Sequence, residues 1–163
     1  MLKLAGSALV LIAGFFVRRA VVSRLQASIE TCRAMIAALS WMEAQVRMEL
    51  VPVPRLLPRL SQRALVGDFF AAVARGLGRE RTLFEAWAEA LSMLPLCEEE
   101  REILHSLGER LDGEEESVCR ALAGAVREME GSYARKQRDY CERKRLYSAL
   151  CLGACAFIII VLL

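Results

Sequence analysis

The sequence predicts an all-α fold: a membrane-anchored six-helix bundle in which two long antiparallel helices continue into N- and C-terminal spans, with four short helices between them. Three observations carry that expectation. An apolar run lies at each end of the chain, all twenty carboxylates fall between Glu30 and Glu142, and no segment outside the ends alternates as a half-buried strand would. The 163 residues suffice for one domain, but 55% hydrophobic against 26% charged residues, with a mean hydropathy of +0.32, is unusual for a freely soluble fold.

The run Leu146 to Leu163 holds 18 residues without a charge. At about 1.5 Å per residue it covers roughly 27 Å of a hydrocarbon core about 30 Å thick. At the other end, Leu2 to Val22 reaches 21 residues if Arg18 and Arg19 extend to the headgroups. A cleavable signal is disfavoured there, because the basic residues follow the apolar run and no small-residue cleavage site comes next. Arg18, Arg19 and Arg24 border the first span, and Arg135, Lys136, Arg138, Arg143, Lys144 and Arg145 border the second; only Lys3 lies beyond. The excess of positive charge on cytoplasmic flanks therefore divides the chain into a first span (1–22), a cytoplasmic bundle (23–145) and a second span (146–163). Ala149 and Gly153, four apart, allow close approach to the first span near Gly6 or Gly14.

Within the bundle, Leu25, Ile29, Cys32, Ile36, Leu39, Val46 and Leu50 recur at spacings of three and four, with Met42 replacing Glu43 on the seam. This predicts one long helix from the membrane to about Leu50, ended by Pro52, Pro54 and Pro58, which lack amide donors and disfavour helix at the residue before them. Short helices follow over about Pro54 to Arg63 and Leu65 to Gly76, the latter closed by Gly76-Leu77-Gly78. Thr82 and Glu85 have capping-box spacing for a helix from Leu83 to about Leu94. Glu98, Glu99 and Glu100 place acid in the first turn of another, running to about Leu111, and Asp112-Gly113-Glu114-Glu115 repeats the start signal. The last helix carries Val118, Leu122, Ala125 and Met129 and meets no proline, so it runs unbroken into the second span. Its 32 residues before that span match the 29 from Val22 to Leu50, roughly 48 and 44 Å, so the two pack side by side.

Little in this chain suggests catalysis. His105 is the only histidine, and no phosphate-binding, nucleophile-elbow or zinc-protease motif occurs. The six cysteines include no C-x-x-C pair and read as small apolar residues of a reducing compartment, so neither metal nor cofactor is expected. A net charge of +2 argues against a nucleic-acid partner. Consecutive Glu98, Glu99 and Glu100, with Glu102, point different ways on a helix and read as a solvated face. What remains is polarity. The segment 47–81 carries net +4 and 98–130 carries net −7, which fits docking to different proteins or to neighbouring copies.

Several local motifs then match a known pattern: Arg18-Arg19 at the end of the first span, Ile36-Ala37-Ala38-Leu39 with Glu43, Pro52-Val53-Pro54, Leu83-Phe84-Glu85-Ala86-Trp87 followed by Ala90-Leu91, and Leu107-Gly108-Glu109-Arg110-Leu111-Asp112-Gly113. Over its whole length the chain resembles the stage III sporulation protein AB family of endospore-forming Firmicutes, itself similar to one cytoplasmic domain of type II secretion and type IV pilus inner-membrane platform proteins. It departs at Arg110 to Gly113, where the family more often has a second Leu-Gly followed by Ser/Thr-Asp. The resemblance implies a non-enzymatic platform in the mother-cell membrane, part of a secretion-like complex between mother cell and forespore. It also implies partners: a secretion-type ATPase, other membrane components of the channel and lipid, with a homo-oligomer possible. Contact with the ATPase is expected at loops farthest from the membrane, near Arg55, Arg59, Arg79, Arg81, Glu98, Glu99, Glu100 and Glu102. The residues alone leave open a membrane-anchored adaptor or regulator, a small transporter subunit, or a soluble helical protein that buries its own ends.

Overall fold

A computed structural model describes the backbone of residues 2–162 and the side chains of residues 26–141. Six α-helices follow one another, with no strand among the described residues: α1 Leu2–Glu49, α2 Val53–Leu60, α3 Gly67–Leu77, α4 Leu83–Leu91, α5 Glu98–Gly108 and α6 Glu115–Leu162. The two outer helices have 48 residues each. Among the described residues no helix is long and apolar enough to cross a membrane. The two expected spans, with Gly14, Ala149 and Gly153, lie outside the residues whose side chains are described.

Each helix packs against the next in the chain, and α6 returns against α1, closing a ring of six. Direction alternates around it. Val46 and Leu50 of α1 share a groove with Glu115 and Cys119 of α6, whereas Ser28 meets Lys136, so these two run antiparallel. Leu107 of α5 lies beside Ala121 and Ala125, and Glu100 beside Ser132 and Lys136, so α5 also opposes α6. The pairs α3/α4 and α4/α5 are hairpins, joined by residues 78–82 and 92–97. Three connections, 50–52, 78–82 and 109–114, therefore share the end of the bundle away from the apolar runs, here called distal. The connections 61–66 and 92–97 share the proximal end.

The start signal of α4 forms as expected. Glu85 N donates to Thr82 Oγ1 at 3.2 Å while Thr82 N donates to Glu85 Oε2 at 3.1 Å, closing the capping box of α4. Several ends differ. The first helix stops at Glu49 because Leu50 turns left-handed (φ 52°), its amide still reaching the Val46 carbonyl at 3.2 Å, before any proline acts. Leu65 (φ 68°) likewise delays α3 to Gly67, and Glu80 (φ 63°) rather than a glycine takes the left-handed position after α3. After Leu91 the chain tightens into i to i+3 bonds, Met93 N to Ala90 O and Leu94 N to Leu91 O, so α4 ends three residues early.

On α1, the fully buried positions Cys32, Met35, Leu39 and Met42 continue the three-four spacing, and Val118, Leu122, Ala125 and Met129 do so on α6. Ile36 is only half-buried and Leu50 is exposed, so the seam turns by one residue, toward Met35, from the expected one. Where α3 meets α4, Phe69, Phe70 and Trp87 make a mutually edge-on cluster with centroids 4.8 to 6.1 Å apart. Trp87 Nε1 donates to the Leu104 carbonyl at 2.8 Å, satisfying the one polar atom of a fully buried indole. The ring comes so near α5 that a Cβ at Gly108 would stand 2.7 Å from Trp87 Cδ1.

That contact sets opposite expectations for two helical glycines. Gly108→Ala should lower stability by about 1–3 kcal/mol through overpacking. Gly124→Ala, with nothing within 4 Å of the new methyl, should raise it by about 0.5–1 kcal/mol through helix propensity. Urea unfolding followed by circular dichroism reads both.

Candidate functional site

The expected docking residues divide into three groups. Arg55 and Arg59 are exposed one turn apart on α2. Arg79 and Arg81 are exposed in the distal α3–α4 connection and line a cleft of about 290 Å³ with Arg75, which the sequence reading did not single out. Arg75 Nε donates to its own helix at the Ala71 carbonyl (3.3 Å), and Arg81 pairs with Glu89 across the cleft. Glu98, Glu99 and Glu102 are exposed as expected. They open α5 at its proximal end, however, so they do not join the distal arginines. Glu98 pairs with Arg101 (2.7 Å) and Glu99 with Arg135, while Glu102 borders a groove with Arg127 and Glu128.

Glu100 corrects the expectation of a solvated acidic face: it is 0% exposed. It shares the apolar stripe of α5 with Leu104 and Leu107, at i+4 and i+7, and so points inward. Three donors converge on its carboxylate, and the Cys32 thiol lies beside them. Lys136 Nζ donates to Oε2 at 2.7 Å, the Cys97 amide to the same oxygen at 3.2 Å, and Ser132 Oγ to Oε1 at 3.4 Å. Lys136 Nζ also donates to Ser28 Oγ at 3.0 Å, so one ion pair joins α1, α5 and α6.

Burial by itself would raise the Glu100 carboxyl, yet the hydrogen bond from Lys136, the Cys32 thiol, the Lys136 charge and the Cys97 amide together hold it below its ordinary value. Burial would likewise lower Lys136, and the Glu100 carboxylate reverses that, holding the ammonium above its usual range. Burial pushes the Cys32 thiol up, and the neighbouring carboxylate pushes it further, so Cys32 stays protonated and is not a nucleophile. Chemically this is a fastening. Each partner's charge is retained by the other. Among the described residues no group of three or more His, Cys, Asp or Glu is placed to hold a metal ion, and Cys32, Cys97, Cys119 and Cys141 are free thiols. His105 is surface-exposed, its ring edge-on to Phe84 with centroids 5.1 Å apart, near Glu109.

These features define an all-α scaffold, a ring of six alternating helices framed by two long ones and fastened by a buried ion pair. Its sequence matches the profile of stage III sporulation protein AB over residues 3–163, and the chain belongs to that family. A solved structure of a stage III sporulation protein AB (SpoIIIAB) superposes with a TM-score of 0.63 at 22% identity, covering 71% of this chain and 97% of the other, a likeness of fold. No curated protein matches the chain. Two of the motifs that carry the family resemblance, Leu83 to Trp87 and Leu107-Gly108, are the ones that meet where Trp87 lies on Gly108.

Removing one partner of the buried pair leaves the other charge uncompensated. Lys136→Met should cost about 3–5 kcal/mol, and the double variant Glu100→Leu/Lys136→Met should recover most of the loss. Because the folded Glu100 value lies below the unfolded one, its stabilisation is present above about pH 4.5 and disappears as pH falls through the folded value. Lys136, shifted up, loses its share only in the alkaline range, as pH rises through its folded value. Urea midpoints of the native chain should fall between about pH 5 and 3, and those of Glu100→Gln should fall less steeply over the same range.

Proposed function

We propose that this chain is a non-enzymatic, membrane-anchored scaffold of a sporulation-specific, secretion-like complex, whose cytoplasmic bundle docks a secretion-type ATPase at its distal end. The observation that carries this reading is the alternating order of the helices. It places the connections 50–52, 78–82 and 109–114 together at one end, opposite the apolar runs 2–22 and 146–163, so that an anchored bundle presents its loops to a cytoplasmic partner. The basic flanks of both runs favour holding residues 23–145 inside, with both termini across the mother-cell membrane. Family membership supports the sporulation setting. Of the expected docking residues, Arg55, at the first turn of α2, and Arg79 and Arg81 lie exposed toward the distal end, as do Arg47 and Arg110; Arg59 stands a turn further along α2, and Glu98 to Glu102 belong to the opposite end.

Two measurements test the proposal. A reporter fused after Leu163 should be active only on the far side of the membrane, and cytoplasmic activity would reverse the topology. Full-length protein in detergent should retain the ATPase of the same complex, and Arg55→Glu/Arg79→Glu/Arg81→Glu should reduce retention at least tenfold; undiminished retention would remove this docking face.

A further inference from the structure

The distal rim is polarised in a way that docking one ATPase does not require. On one side is the α3–α4 cleft, where Arg75, Arg79 and Arg81 face a single carboxylate, Glu89, already paired with Arg81. Its floor is narrow and backbone-like: a Cβ at Gly76 would stand 2.5 Å from Ala86 Cβ, so the helices touch and the arginines rise around the seam. On another side is the α5–α6 turn, where Glu109, Asp112, Glu114, Glu115 and Glu116 are all exposed and Arg110 is the only basic residue between 109 and 116. Within one copy no ion pair among the described residues joins the two sets; Glu116 is taken by Arg120 at 2.8 Å.

We infer that these two surfaces join neighbouring copies of the chain head to tail, the acidic α5–α6 turn of one copy seating against the Arg75–Arg79–Arg81 cleft of the next. The charges are complementary, and the two surfaces sit on different helix pairs of the ring. The cleft runs along α3 and α4 as far as Ser92 and Met93, but its Arg79–Arg81 mouth and the 109–114 turn both lie at the distal end. Copies anchored in one membrane stand parallel and approach only sideways, so surfaces at equal height are the ones that can meet; here the inference rests on the membrane-anchored reading. A contact between two different surfaces leaves both free at the ends of an open chain of copies, where Arg79 and Arg81 of the end copy stay uncovered for the ATPase. Being ionic and solvent-exposed, it weakens as the screening length falls from about 10 Å at 0.1 M salt toward a few Å near 1 M.

Sedimentation of the full chain in non-ionic detergent tests this. At about 0.05 M salt the native chain should sediment as an oligomer and at about 1 M as a monomer. Arg79→Glu/Arg81→Glu and Glu114→Arg/Glu115→Arg should each be monomeric at low salt, with unchanged helical circular dichroism. Mixed in equal amounts they should reassociate, since the reversed cleft of one then fits the reversed turn of the other and the native surfaces also match. A native chain that is monomeric at low salt, reversed variants that assemble as the native chain does, or a mixture that stays monomeric would each overturn the inference. ATPase retention by Glu114→Arg/Glu115→Arg, whose arginines are intact, reports the docking proposal separately.

Discussion

The position of α5 depends on a single ammonium and a single carboxylate. Glu100 is the only buried carboxylate among the described residues, and Lys136 reaches it from α6 while also donating to Ser28 on α1. Apolar contact is non-directional and would tolerate sliding of α5 along the α1/α6 pair. A buried charge with three donors does not, because a shift of one turn would leave it desolvated and unpaired. The pair thus sets the level at which α5 begins, and through α5 the level at which the α5–α6 turn leaves the bundle.

The remaining order follows from that level and from short connections. With α4 and α5 joined by six residues and α3 and α4 by five, each helix must fold back on its predecessor. Trp87 holds the first of these interfaces, α4 on α5, by filling the space that Gly108 leaves open and by donating to Leu104. Loops that emerge at one end are then available to partners, while the other end continues into the apolar runs. In the proposed role, this ring of helices gives a defined presentation of loops opposite the apolar runs. Left-handed Leu50 and Glu80 both sit in those distal loops, where a non-glycine residue in that conformation carries a cost that compact turns alone would avoid.

Much of the fold is legible in the sequence, for a physical reason. The three-four spacing of Cys32, Leu39 and Val46, or of Val118, Leu122 and Met129, is imposed by the same burial that forms the core, and the Thr82–Glu85 box is a local hydrogen-bond pattern readable from two residues. Helix ends were less legible. Leu50, Leu65 and Glu80 take conformations that sequence rules reserve for glycine or asparagine, while Gly78, where a stop was expected, is right-handed. Glu100 was misplaced because four neighbouring acids read as one solvated group. The signal available was its place in the stripe Glu100, Leu104, Leu107, Leu111, together with Ser132 and Lys136 continuing the seam of Val118 to Met129. Lys136, counted with the basic flank of the second apolar run, proves to be the partner of that carboxylate. Arg75 stands one turn before Arg79, a spacing readable in the sequence, and the pairing of α3 with α4 adds Arg81 to the same cleft.

The ionisation state of Glu100 tests this account most directly. With the Glu100 side-chain carboxyl labelled with ¹³C in the folded chain, its resonance followed against pH should titrate below the ordinary glutamate value of about 4.3. A midpoint at or above that value would mean that burial prevails over Lys136 and its companions, and that α5 is not fastened by charge.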